Sequence, residues 1–326
     1  MQIDPTLRAL ADPTRLRIMR LLSTMELAVG ELAQVLGQSQ PRVSRHIRIL
    51  CDAALAERRK EGSWVFLRSA IGEGTASLSS AVARLLAAAE HEDVPFAARC
   101  AEDRRHLAAI RSARETAAAA YFARHAEGWD EIRSLHSPDE PVEAALLAAI
   151  AMDGASLGQV LDIGTGTGRI AELLAPHAAH VTGLDNSPEM LRIARARLQH
   201  LPADSATLIR GDFLALPFSE ACFDTVLFHQ VLHYAQEPQA VLAEAARVTR
   251  PGGRIALVDF AAHEREELRS LHAHTRLGFS DEQMTALLSA AGFTPERTDA
   301  IPGQPLTVKI WTARRLPIPS DKVLRA

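Results

Sequence analysis

Cysteine is nearly absent from this chain of 326 residues: Cys51, Cys100 and Cys222 are an odd number and widely scattered. They give neither a disulfide framework nor metal-ligand spacing, and Cys51 and Cys222 read as small buried hydrophobes. Aromatic residues make up only 5% of the chain, with two tyrosines and three tryptophans. No apolar run is long enough to cross a bilayer, and Met1-Gln-Ile-Asp4 lacks the charged start and apolar core of a signal peptide, so a cytoplasmic protein without a membrane segment is expected. What is present is enough apolar material, 47% of residues, for two domains with independent cores.

Residues 160–168 read Val-Leu-Asp-Ile-Gly-Thr-Gly-Thr-Gly, an apolar run that ends in Asp162 and then places glycine at 164, 166 and 168. Arg169-Ile-Ala-Glu-Leu-Leu opens a helical pattern behind it. A strand, a tight glycine loop and a helix make a nucleotide cradle, because glycine lets the backbone turn sharply and approach a ligand. The dinucleotide fingerprint would need another glycine where Arg169 stands. Asp162 also disfavours a phosphate ligand, whereas a carboxylate suits the cationic methionyl part of S-adenosylmethionine. His180-Val-Thr-Gly-Leu-Asp185 then reads as a second strand ending in an acid able to take both ribose hydroxyls, with Asn186 following.

These residues resemble the class I S-adenosylmethionine-dependent methyltransferases over roughly 155–315. The resemblance implies that Asp162, Gly164, Thr165, Gly166, Asp185 and Asn186 hold the ligand. In Gly211-Asp212-Phe213-Leu-Ala-Leu-Pro-Phe218 it implies that Asp212 meets the adenine amino group and Phe213 packs the ring. Phe223–His229 looks like the fourth strand, Arg250–Asp259 like a turn feeding the fifth, and Leu306–Ala313 alternates as a half-buried terminal strand should. The ligand implied is S-adenosylmethionine or S-adenosylhomocysteine, with no metal.

The first 70 residues differ in charge: 11 Lys and Arg stand against 7 acids there, and 25 against 33 in the remainder. Such asymmetry points to a nucleic-acid face on the small half. Asp12-Pro13 marks a helix start, Val29–Leu36 forms a short helix stopped by Gly37, and a third helix starts with Ser39 as its cap. That helix buries Val43, Ile47 and Leu50 and leaves Gln40, Arg42, Ser44, Arg45 and His46 free for phosphates and base edges in a major groove. Leu55–Arg68, with Arg59 and Lys60, reads as a basic hairpin wing turning at Glu61-Gly62. The stretch resembles the winged helix-turn-helix of ArsR/SmtB repressors, especially in Leu10–Ile18 and Val43-Ser-Arg-His46. That implies a homodimer on a double-stranded DNA operator, with Ser39 added to the contacting residues. Where metal-sensing members carry paired cysteines, this chain has Ala28 and Gly30, so sulfur holds no metal there.

The fold expected is therefore two-domain: an α+β winged helix-turn-helix at 1–70, a helical linker, dimerisation region and lid at 71–135, and an α/β class I methyltransferase domain at 136–326, Rossmann-like with a mostly parallel seven-stranded sheet. Pro95 separates two helical stretches of the Ala-rich linker. Glu90-His-Glu-Asp93 and His106 do not share a helical face and read as a solvated surface rather than a metal set. Tyr121-Phe122 and Trp129-Asp130 read either as a lid over the methionyl end or as core.

His229, where the fourth strand ends, is the candidate base for methyl transfer, although a histidine there frequently only orients or packs; His233 follows one helical turn later. The chain has no Asn/Asp-Pro-Pro-Tyr motif of adenine enzymes, no catalytic Pro-Cys of cytosine enzymes, and no grouped thiols for arsenic methylation. Two functions stand. In one, a repressor senses an S-adenosyl ligand and controls genes of the methionine and adenosylmethionine cycle; in the other, an active small-molecule methyltransferase carries an autoregulatory winged helix.

Overall fold

The computed structural model describes residues 1–61, 64–71, 77–134, 139–150 and 156–316. It divides into two compact units, Met1–Thr116 and Ala117–Ala326. The stretch 71–135 is therefore shared between the units, and the chain passes from one to the other within a single helix.

The first unit contains α1 (Ile3–Leu10), α2 (Pro13–Leu22), β1 (Leu27–Ala28), α3 (Val29–Leu36), α4 (Gln40–Asp52), β2 (Ala56–Glu61), β3 (Trp64–Ser69), α5 (Leu78–Glu92) and the start of α6 (Val94–His125). Asp12 closes the N-terminus of α2 by accepting from the backbone N–H of Thr14 at 2.8 Å and of Arg15 at 3.1 Å. Gly37 ends α3 in the left-handed region at φ 61°. Ser39 does precede α4, but its hydroxyl makes no capping bond. Pro41 has no N–H to offer, and the N–H groups of Arg42 and Val43 bond instead to the Ser39 carbonyl at 3.0 and 3.1 Å. Val43, Ile47 and Leu50 are buried against Ile18, Leu32 and Leu55. The three strands pair in the order β1-β3-β2, with Glu61 opposite Trp64. The expected turn residue Gly62 lies outside the described residues.

In the second unit α7 (Trp129–Ser134) and α8 (Asp139–Ile150) precede an alternating series: β4 (Gln159–Ile163), α9 (Arg169–Leu174), β5 (His180–Asp185), α10 (Pro188–Leu198), β6 (Ala206–Arg210), β7 (Phe223–His229), α11 (Pro238–Val248) and β8 (Thr249–Phe260). Then come α12 (Glu267–Leu271), α13 (Asp281–Ala290), β9 (Phe293–Ile301) and β10 (Val308–Arg315). The seven strands lie in the order β6-β5-β4-β7-β8-β10-β9. β10 runs antiparallel to both its neighbours and the other pairs are parallel. Both faces of the sheet are covered, which is why successive residues of β4 and β7 are apolar on both sides: Val160, Leu161, Ile163, Val226, Leu227 and Phe228 are all fully buried. From β4 the strand order proceeds to β5 and β6 on one side and to β7 and β8 on the other. The carboxyl ends of β4 and β7, paired at Ile163 and Phe228, thus form the switch point at which open α/β sheets bind ligands.

The cysteines are distributed otherwise than expected. Cys100 is the buried one, at 2% exposure, whereas Cys51 and Cys222 are half-buried and pack at the margins of the two cores. Among the described residues no helix is long and apolar enough to cross a membrane.

Candidate functional site

The loop after β4 is held in its turn by backbone bonds from Gly164 and Thr165 to the carbonyl of Leu184, at 2.7 and 3.0 Å. Gly164 has φ 72°, and a Cβ there would lie 2.2 Å from Cγ2 of Val231. Arg169, the residue that departs from the dinucleotide pattern, pairs with Glu143 of α8 and lies 3.6 Å from Asp139. It is therefore committed within the domain.

Asp162 is 1% exposed, and among the described residues neither carboxylate oxygen has a hydrogen-bond partner. Burial raises its pKa to about 7; the nearby Thr165 hydroxyl opposes the shift and the neighbouring charge of Asp185 adds to it. A buried, unpartnered carboxylate is costly unless something cationic or protonated meets it. Asp185 at the end of β5 is itself raised by burial; it accepts from the backbone N–H of Gly166 at 2.9 Å and of Ser187 at 2.8 Å. One carboxylate therefore ties the glycine loop to the second strand. Asn186 and Asp212 are exposed beyond the ends of β5 and β6; Asp212 accepts from the N–H of Leu214 at 2.9 Å, and Phe213 packs half-buried against the core.

The end of α6 and α7 bring the aromatic residues to this edge. A Cβ on Gly166 would lie 3.7 Å from Nε1 of Trp129. Trp129 meets Phe122 edge-on at 5.3 Å between ring centres, and Phe122 meets Tyr234 at 4.9 Å. The Tyr121 hydroxyl is 2.9 Å from Nδ1 of His272. Asp130 accepts from the Thr167 hydroxyl at 2.7 Å and pairs with Arg197, so α7 is fastened to the loop that follows Gly166. Burial opposes the charge on Asp130, but Arg197 and Thr167 outweigh it and hold the carboxyl below its usual range.

His229 is 8% exposed, and its Nε2 has no partner among the described residues. Burial, and then the positive charge of Arg133, lower its pKa to about 3, so it is neutral. His233 behaves differently. Its Nδ1 is 2.7 Å from Oδ1 of Asp259 at the end of β8, and its backbone N–H donates to Oδ2 at 3.1 Å. The sequence offered no local signal for that pair, whose members are 26 residues apart. His233 also lines a narrow cavity with Trp129, Arg133, Gln230, Tyr234 and His274.

In the first unit Ser39, Gln40, Arg42, Ser44, Arg45 and Lys60 are exposed. His46 is half-buried, with Nδ1 3.6 Å from Oδ1 of Asp12, and burial lowers its pKa. Arg59 does not stand free. Its guanidinium pairs with Glu26 at 3.0 Å and with Glu61 at 2.8 Å, and lies 4.9 Å from the ring centre of Phe66. A groove brings Gln40 and Ser44 together with Arg48 and Arg58, which sequence reasoning did not single out. The four-residue spacing of Gln40, Ser44 and Arg48 along α4 was the signal available. Among the described residues no group of three or more His, Cys, Asp or Glu is placed to hold a metal ion.

Residues 161–257 match the family model of a methyltransferase domain, and residues 12–58 that of bacterial regulatory proteins of the arsR family. A demethylmenaquinone methyltransferase of Tropheryma whipplei is 41% identical over 115 residues, 35% of this chain and 47% of that protein. A malonyl-[acyl-carrier protein] O-methyltransferase of Methylococcus capsulatus is 32% identical over 188 residues, 55% of this chain and 66% of that protein. The chain thus spans about half to two thirds of the length of these relatives. A solved methyltransferase-fold structure from Galdieria sulphuraria, 17% identical, covers 59% of this chain and 98% of its own with a TM-score of 0.51, which shows the shared fold. The chain therefore joins a stretch that matches the arsR family of bacterial regulatory proteins to one that matches the methyltransferase-domain family, in a unit with the methyltransferase fold.

Proposed function

We propose that the protein is a DNA-binding transcriptional regulator, a homodimeric repressor, whose methyltransferase domain binds S-adenosylmethionine or S-adenosylhomocysteine as its effector. The observation that carries the reading is Asp162: a buried carboxylate with both oxygens unpartnered among the described residues, beside a glycine loop in which Gly164 has no room for a side chain. Its chemistry fits the ammonium end of the methionyl group. Asp185 would take the ribose hydroxyls, Asn186 would flank them, and Thr165 would line the loop. Asp212 would take the adenine amino group, Phe213 would pack the ring, and Tyr121 would belong to the lid. When bound, S-adenosylmethionine supplies an electrophilic methyl group on a sulfonium.

The same chain carries an exposed basic helix, α4, of the kind that enters a major groove. A ligand changes the DNA affinity only if it binds the DNA-competent and DNA-incompetent forms differently. Resemblance to fused repressor-methyltransferases supports genes of the methionine and adenosylmethionine cycle as targets. A second reading, methyl transfer to a small molecule, is favoured by the His233–Asp259 pair beside a cavity at the carboxyl edge of the sheet. The two activities are compatible.

The test is fluorescence anisotropy with the full chain and labelled duplex from its own upstream promoter, at one fixed salt concentration, with each ligand added separately. A change of about fivefold or more in Kd with one ligand is expected. If calorimetry shows that both ligands bind while neither moves the DNA affinity, the sensor reading fails.

A further inference from the structure

We propose that His233, oriented by Asp259, is the general base of a methyl transfer to a compact acceptor bearing an un-ionised O–H or S–H group. The inference rests on the methyl-transfer reading above and adds to it the residue that takes the proton and the class of acceptor. Asp259 accepts the backbone N–H of His233 at 3.1 Å and of Phe260 at 2.8 Å, and its Oδ1 lies 2.7 Å from Nδ1 of His233. A carboxylate so surrounded acts as an acceptor, which places the imidazole proton on Nδ1 and leaves the lone pair on Nε2. That nitrogen has no hydrogen-bond partner among the described residues, although the residue is only 1% exposed. Both side chains lie at the carboxyl edge of the sheet, His233 just past β7 and Asp259 at the end of β8. The cavity beside His233 is walled by Trp129, Tyr234, Phe260 and His274 and has room for about one water molecule, so an acceptor enters only as those side chains shift, which limits its size.

His229 is less suited to the task. It lies among the same elements, but Arg133 and then Arg169 are the charges that act on it, and among the described residues no carboxylate acts on its ring. His233 has that counter-charge in Asp259. In the step, the acceptor's O–H or S–H bond breaks and its proton passes to Nε2. The freed electron pair of the acceptor forms the new bond to the methyl carbon, and the carbon–sulfur bond breaks with its electrons retained by sulfur as a neutral thioether. The imidazolium, paired with Asp259, then returns its proton to water. His233 is the catalytic residue in this scheme and Asp259 a positioning residue.

Two readouts on the full chain test it. The first is the imidazole ¹⁵N spectrum of the protein with S-adenosylhomocysteine, His233 being assigned by the signal lost in His233→Asn. A protonated Nδ1 and bare Nε2 are expected, with that tautomer lost in Asp259→Asn; a protonated Nε2 would overturn the proposal. The second uses methyl-labelled S-adenosylmethionine with a matched pair of probes, phenol and thiophenol, at a pH where only thiophenol is already ionised. His233→Asn and Asp259→Asn should lower transfer to phenol about 100-fold and to thiophenolate only a few-fold, with S-adenosylhomocysteine affinity kept within about twofold. Equal loss on both probes would mean that His233 is structural, and the base assignment falls. Absence of transfer by the wild-type protein to either probe, with S-adenosylhomocysteine still bound, would instead overturn the methyl-transfer reading, and the base with it.

Discussion

Gly164 and Val231 stand so close that a single added carbon would not fit between them: a Cβ on Gly164 would lie 2.2 Å from Cγ2 and 3.0 Å from Cβ of Val231. Val231 follows β7 and Gly164 follows β4, two strands paired up to Ile163 and Phe228, so this contact packs together the two loops that frame the site. Gly164→Ala should cost about 2–4 kcal/mol in stability and weaken S-adenosylhomocysteine binding, because the clash adds to left-handed strain at φ 72°. The double variant with Val231→Ala should regain the part due to the clash but not the strain. Chemical denaturation and calorimetry of the single and double variants check this; full recovery in the double variant would show that the backbone conformation is not under strain.

Asp162 predicts a pH dependence of ligand binding. Its pKa in the unliganded protein is about 7, and a cationic group must meet the ionised form. Affinity for S-adenosylhomocysteine should therefore rise with pH from about 5.5 to 7, approaching tenfold per unit at the acid end, and level off above 7. Asp162→Asn should bind more weakly and lose that slope. Calorimetry in buffers of different ionisation heat would detect the accompanying proton release; a flat wild-type profile would exclude the ionic role of Asp162.

Two buried groups pull the stability of the methyltransferase unit in opposite directions. Between pH 4 and 6.5 the native state keeps a proton on Asp162 that the unfolded chain has lost, so this group makes stability fall as pH rises. Over the same window the unfolded chain protonates His229, which the native state holds neutral with a pKa of about 3, so this group makes stability rise with pH. The two slopes nearly cancel. His229→Asn should expose the falling limb and Asp162→Asn the rising one, each by about 1 kcal/mol per pH unit. Thermal melts of the three proteins from pH 4.5 to 6.5 would show it, and parallel curves would refute it.

Arginines of the helix-turn-helix should separate into two kinds. Arg45 is exposed on α4 and has no ion pair among the described contacts, so Arg45→Ala should weaken DNA binding and reduce the steepness of log Kd against log salt by about one. Arg59 is bound to Glu26 and to Glu61, whose side chain is 5% exposed. Arg59→Ala should therefore destabilise the domain by about 2 kcal/mol before it affects any phosphate contact. Unchanged melting with weakened DNA binding would reverse that assignment.

Much of the site was legible because its signals are local. The glycine spacing at 164, 166 and 168, the acids closing β4 and β5, and the helical period of Val43, Ile47 and Leu50 are all set within a few residues. The ion pairs of Arg59 were hidden for the opposite reason: a basic residue on a hairpin looks solvated until Glu26, 33 residues earlier, is brought beside it. The partnership of His233 with Asp259 and the fastening of Asp130 to Thr167, 37 residues on, were hidden in the same way.

The sequence by itself determined the order of the two domains, the strand–loop–helix cradle and the basic face of α4, because hydrophobic period, glycine placement and net charge act over short stretches. Tertiary structure decided which charges remain available. Burial beneath the sheet edge left Asp162 without a partner and His229 neutral, while chain crossings far apart in sequence gave His233 and Arg59 their carboxylates; solvation and pairing depend on what the whole fold packs around a group.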